Sequence, residues 1–162
     1  FKLGDIITTV IKCAKGQTIV LSHDTNSPRP YSLNFRVQGT QGLWMKDNKS
    51  IYIEGMSPSE HRWEPDEAYL KKYDHPLWKK FEDQAAGSGH GGMDFFIVHA
   101  FIETLKENQP PVIDVYDAVS MSAIVPLSEK SIKLNSTAVK IPDFTRGKWK
   151  TNPPIFGLNE RY

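Results

Sequence analysis

The chain has 162 residues, 20 Lys+Arg against 19 Asp+Glu for a formal net charge of +1, 39% hydrophobic residues and a single cysteine. A length near 150 lets one globular domain bury roughly 68–70% of the surface its unfolded chain exposes, and it is short for two full domains. Interleaved charge near neutrality argues against nucleic acid as a partner, the lone Cys13 excludes an intrachain disulfide and thiolate metal clusters, and no apolar run is long enough for a membrane span.

In chain order, β-branched residues crowd Asp5 to Cys13 and again Thr18 to Leu21. Ala14-Lys15-Gly16-Gln17 between them predicts an antiparallel hairpin with Cys13 inside a strand. Phe1 to Asp5 leads straight into that pattern with no signal-peptide architecture. The missing Met at position 1 predicts a processed product or an excised piece of a longer chain, and the compartment stays open between cytoplasm and periplasm. Leu33, Phe35 and Val37 alternate with polar residues, so Tyr31 to Gln38 predicts a third strand with one buried face. Gly39 and Gly42 bracket a turn before Leu43-Trp44-Met45, Asp47-Asn48 marks another, and Ser50 to Glu54 reads as a further strand.

Gly55 to Pro76 is polar and aromatic, an excursion from the sheet with a little helix. Leu77 to Ala86 reads as one helix. Met93 to Glu107 is the clearest, with Met93, Phe96, Ile97, Ala100, Phe101 and Leu105 on one face, and Asn108 and Pro110-Pro111 stop it. Asp114 with Asp117 three residues on predicts an N-cap and a helix running past Ile124, kinked at Pro126. Val139 to Ile141 suggests a last strand, and the tail from Trp149 to Tyr162 a surface wrap. Strands followed by helices read as α+β: an open, mainly antiparallel sheet with helices packed on one face, one domain over 1–162.

Gly87-Ser88-Gly89-His90-Gly91-Gly92 formally satisfies G-x-G-x-x-G and opens a helix. The dinucleotide mechanism needs a buried strand ahead of it, and LWKKFEDQAA is charged and helix-prone. The glycines do permit close backbone approach to a partner, with His90 facing the same space. Against this stands a plain flexible connection. Pro28 and Pro30 restrain Arg29 and Tyr31, which fits either a presented pair of side chains or a rigid surface corner. Asp5, Asp24, Glu54, Glu60, Asp94 and Asp114 could supply a glycosidase carboxylate pair, but none stands in a recognisable setting. His23, His61, His75, His90 and His99 lack metal-binding spacing, and His90 with Asp94 at i, i+4 permits a hydrogen bond but not a metal site. No nucleophile elbow occurs, and Trp44, Trp63, Trp78 and Trp149 are core residues by default, with sugar stacking as the alternative.

Taken together, SPRPY, QGTQG, GHGGMDFF, DVYDA, PLSEKSI and IPDFTRGKWK resemble the C-terminal half of glycoside hydrolase family 109, a branch of the Gfo/Idh/MocA-type oxidoreductases with α-N-acetylgalactosaminidase activity. The motifs run in order from Lys2 to about Lys150. The resemblance implies a preceding Rossmann domain, absent from this chain, that holds NAD. It also implies transient oxidation at C3 of the sugar, elimination of the aglycone from C1, water addition and return of the hydride, which needs no carboxylate pair. On that pattern Tyr31 contacts the carbohydrate substrate, with His90 and then Arg29 as further candidates. No catalytic, metal or cofactor residue is expected in this chain, which alone should be inactive. Partners implied are the Rossmann domain and a second copy through the open sheet face. The rival expectations are a sugar dehydrogenase of the same superfamily and a non-catalytic dimerisation module.

Overall fold

A computed structural model describes residues 4–152, 157 and 159–162. The chain forms two compact units, residues 1–70 and 71–162.

The first unit holds the strands. β1 (Ile6–Lys12) and β2 (Thr18–Asp24) pair antiparallel, Val10 opposite Val20 and Ile11 opposite Ile19. The turn closes through Cys13 N–H to the Gln17 carbonyl at 2.8 Å, with Gly16 at φ +97. Cys13 therefore opens the turn instead of sitting inside a strand, because the chain must reverse before a glycine that can take a left-handed conformation. Along β1 the side chains alternate between exposed and half-buried, the period-two signature of a strand with one covered face.

A second antiparallel sheet contains β3 (Arg36–Gln38), β4 (Gly42–Met45), β5 (Ser50–Ile53) and β6 (Glu64–Pro65) in that order. Gly42 is required by close packing, since a Cβ there would lie 2.8 Å from the Tyr52 carbonyl oxygen. The excursion after Gly55 returns to the sheet, Glu64 pairing with Ile51. The third strand is shorter than the alternation predicts. Asn34 adopts φ +45 and donates its backbone N–H to Ser32 Oγ at 2.9 Å, so regular pairing starts only at Arg36. Trp44 packs edge-on against Phe35 and donates Nε1–H to the buried Asp66 carboxylate at 2.7 Å.

Helix α1 (Glu67–Tyr73) runs across the boundary between the units, and the remaining helices belong to the second. α2 (Pro76–Ala85) begins with proline at its first position, where a missing N–H costs nothing. The His75 imidazole caps it, Nδ1 accepting from Leu77 N–H at 3.2 Å. α3 (Met93–Glu107) has the predicted limits and ends at Asn108 with φ +51, a left-handed cap. α4 (Val115–Ser122) carries the predicted cap as a complete reciprocal box between Asp114 and Asp117. The regular helical ladder is interrupted at Ala123 before α5 (Ile124–Lys133), three residues ahead of Pro126. Ala123 itself keeps helical dihedrals, φ −68 and ψ −17, so the two helices are joined through a kink, and Pro126, which lacks an N–H and whose ring crowds the carbonyl four residues back, accounts for it as the sequence predicts.

Two further expectations are corrected. Residues 139–141 form no strand. On α3 the face against α2 is Phe95, Phe96 and His99, while Met93, Ile97, Phe101 and Leu105 are exposed. The helix is apolar on more than one side, so periodicity alone could not tell which stripe meets α2. Trp78 stacks on Phe96 at 5.0 Å, and Ala85, at 1% exposure, is the most buried apolar side chain among the described residues. The tail wrap is borne by Gly157, whose carbonyl meets His75 Nε2 at 2.9 Å, and by Tyr162, whose hydroxyl meets His99 Nδ1 at 2.8 Å. Pro153-Pro154 lies outside the described residues. Strand pairs followed by helices, with open antiparallel sheets, make this an α+β chain.

Candidate functional site

In the first unit, Tyr31 stands at the end of a loop that leaves β2 at Asp24, and it is 88% exposed. The loop is built around one carboxylate. Asp24 Oδ1 accepts the backbone N–H of Ser27 at 3.0 Å and of Asn26 at 3.3 Å, an Asx-type turn, while Oδ2 accepts Arg29 Nε–H at 3.0 Å. These bonds, Ser27 N–H foremost, hold the Asp24 carboxyl below the usual aspartate range against the opposing effect of desolvation. Arg29 also donates to the Ser32 carbonyl at 3.0 Å, so its guanidinium bridges the residues on both sides of Pro30-Tyr31. Ser32 Oγ is hydrogen-bonded in turn to Asp47, which ties the loop to the β4–β5 turn. The prolines limit the backbone and the Asp24–Arg29 pair fixes what they leave free.

In the second unit, His90 precedes α3 in a tight left-handed run, with φ +54 at His90, +69 at Gly91 and +100 at Gly92. Gly92 lets α3 begin beside α2, since a Cβ there would lie 3.0 Å from the Trp78 ring and 3.3 Å from Ala85 Cβ. His90 Nδ1 lies 2.9 and 3.1 Å from the two Asp94 oxygens, with the side chains 76% and 47% exposed. Arg29 and Tyr31 thus share one loop, and His90 belongs to the other unit.

The IPDFTRGKWK segment is organised the same way as the Tyr31 loop. Asp143 accepts the Thr145 hydroxyl at 2.7 Å, the Gly147 N–H at 2.8 Å and the Trp149 Nε1–H at 3.3 Å. The Thr145 hydroxyl leads the group of donors that lowers its pKa. Trp149 remains 39% exposed and Lys150 lies over its ring at 5.7 Å, whereas Trp44 and Trp78 are packing residues.

The glycine-rich loop does not fit a dinucleotide. Helix α2 precedes it where a strand is required, and a short helical turn at His90–Gly92 separates its first glycines from α3. Among the described residues no cluster of three or more His, Cys, Asp or Glu is placed to hold a metal ion, and no helix is long and apolar enough to cross a membrane.

A family model described as glycosyl hydrolase 109, C-terminal domain, matches residues 1–151. The chain belongs to that family. It is 57% identical over its whole length to a glycosyl hydrolase family 109 protein of Stenotrophomonas maltophilia, of which it covers 36%. It is 52% identical to a protein of the same description from Parabacteroides distasonis, and 51% identical to an α-N-acetylgalactosaminidase of Tannerella forsythia. Each alignment takes in 98% of this chain and 34% of the relative. The chain therefore spans about a third of the length of the curated relatives it matches.

Sequence reading singles out Tyr31, Arg29 and His90 as candidates but not the structural role of Asp24 in the Tyr31 loop. The signal was present in Asp24-Thr25-Asn26-Ser27 ahead of Pro28, an acid followed by small polar residues, which is the pattern of an Asx turn.

Proposed function

We propose that this family 109 domain contributes part of the sugar pocket of an α-N-acetylgalactosaminidase. Tyr31 is its substrate contact and Arg29 the brace of the Tyr31 loop, while His90, in the second unit, is a further candidate contact with the sugar. The observation that carries the reading is the presentation of Tyr31: a large aromatic is left almost fully exposed at the end of a loop held by two prolines and an Asp–Arg pair. Exposure of that kind is unfavourable for a packing residue and suits a ring that stacks on a sugar while its hydroxyl hydrogen-bonds. A relative 51% identical to this chain bears the name α-N-acetylgalactosaminidase, which supports the choice of sugar.

In this reading an N-terminal Rossmann domain of the same protein holds NAD, which supplies transient oxidation at C3 and is regenerated at the end of each turnover. No step through the cofactor falls to the residues described here. They bind and orient the sugar, and the chain by itself is inactive. The test is release of aglycone from a chromogenic α-N-acetylgalactosaminide by the full-length protein with NAD⁺ present. Accumulation of NADH without aglycone release would instead make the protein a sugar dehydrogenase. A measurable rate from the isolated chain would contradict the division of labour.

A second reading, an association module, is favoured by the uncovered apolar side chains Val10 and Val20 on the β1–β2 hairpin. A two-stranded ribbon is marginal by itself, so a second copy pairing there would stabilise it. Sedimentation of the full-length protein and of Val10→Lys separates a dimer held through the hairpin from one held elsewhere.

A further inference from the structure

The geometry of the His90–Asp94 pair bears on how His90 would meet a sugar. An aspartate in the first turn of a helix ordinarily serves the backbone, accepting free N–H groups or complementing the helix dipole. Both Asp94 oxygens instead approach His90 Nδ1, at 2.9 and 3.1 Å, and no backbone N–H bonds to its side chain among the described residues. The first backbone groups of α3 find partners elsewhere: Asp94 N–H reaches the Gly89 carbonyl at 3.3 Å, and Phe95 N–H reaches Ser88 Oγ at 3.3 Å.

The loop is shaped around the pair. His90 itself takes φ +54, a left-handed conformation that residues with a Cβ adopt uncommonly. Gly89 has an ordinary backbone, φ −57 and ψ 159, and gains nothing conformationally from being glycine. What a side chain there would disturb is Asp94, since a Cβ at 89 would lie 2.1 Å from Oδ2. The glycine keeps open the position that the carboxylate occupies.

An ionised carboxylate only accepts, so the proton of the neutral imidazole must reside on Nδ1, which leaves Nε2 with a lone pair. We propose that Asp94 is a positioning residue. It holds His90 as the Nδ1–H tautomer and presents Nε2 as a hydrogen-bond acceptor for a hydroxyl of the bound sugar. This rests on the glycosidase reading given above and adds to it the atom that receives the sugar and the residue that prepares it.

The test uses the full-length protein labelled with ¹⁵N-histidine. Nitrogen shifts should identify His90 as Nδ1–H in the parent. Asp94→Ala and Gly89→Ala should both move it to the Nε2–H form favoured by a free imidazole, the second by displacing the carboxylate without removing it. Asp94→Asn, whose amide oxygen still accepts, should retain the parent tautomer. With p-nitrophenyl α-N-acetylgalactosaminide, KM should rise about fivefold to tenfold in the two alanine variants with kcat little changed, as for a contact made equally in the ground and transition states, and should recover in Asp94→Asn. An Nε2–H ring in the parent would overturn the proposal, and so would an Asn variant as impaired as the Ala variant, the mark of a purely structural aspartate. A tautomer change that leaves KM untouched while Tyr31→Phe raises it would overturn this inference and spare the glycosidase reading. If neither position affects turnover, both readings fall.

Discussion

Arg29 Nε–H points at Asp24 Oδ2 across 3.0 Å, and the same guanidinium reaches forward to the Ser32 carbonyl at 3.0 Å, so one side chain spans the residue it serves, Tyr31. These bonds give Arg29, the last of the candidate sugar contacts, an internal task as well, and the loop's order should depend on the carboxylate at its base.

That dependence has a definite sign. The Asp24 carboxyl is depressed, first by the Ser27 N–H, so its stabilisation is complete above the ordinary aspartate value of about 3.9 and is lost as pH falls through its lower folded value. NMR titration should place Asp24 below that value, and protection of the Ser27 amide, taken relative to its intrinsic exchange rate, should fall as Asp24 is protonated. In Asp24→Asn the Ser27 amide should lose this acid response while the β1–β2 pairing remains.

Tyr31→Phe removes a hydroxyl from an almost fully exposed ring, so the thermal midpoint should stay where it is. Turnover or sugar affinity in the full-length protein should fall by about tenfold, the scale of one lost hydrogen bond. Steady-state kinetics with a chromogenic α-N-acetylgalactosaminide decides it; unchanged parameters would remove Tyr31 from the site.

Gly92→Ala should be far more harmful than Gly91→Ala. Both have positive φ, but a Cβ at 92 also meets the Trp78 ring at 3.0 Å, whereas at 91 nothing lies within 4 Å. Losses of about 1–2 kcal/mol at 91 and more than that at 92 are expected from backbone strain and overpacking, read as denaturant midpoints.

Asp114→Ala should cost about 0.5–2 kcal/mol by removing a helix cap whose oxygen accepts from Tyr116 and Asp117 N–H at 2.7 and 2.9 Å. Asp114→Asn should recover most of that. Equal destabilisation in the two variants would show that the charge matters more than the acceptor.

What could be read from the chain was local. The limits of α3 and the Asp114–Asp117 box depend on residues within a turn of each other, and the structure places them where the pattern does. Where sequence-distant groups compete, the pattern failed. The alternation over 31–38 was interrupted because Ser32 bonds to Asp47, fifteen residues on, and Asn34 turns left-handed beside it. On α3, choosing between two apolar stripes required knowing which rings α2 would offer. The loops that carry Tyr31 and His90 were legible because proline and glycine mark them, while the roles proposed for the two residues come from the family resemblance. Asp24, a polar residue at the end of a strand, carried no comparable mark.

The clash between a side chain at 89 and the Asp94 carboxylate has an evolutionary consequence. The constraint runs one way: while Asp94 is held against His90, a side chain at 89 must push the carboxylate aside, whereas once Asp94 is replaced position 89 is released. The expectation is that a side chain at 89 is tolerated most readily in relatives that lack an acid at 94.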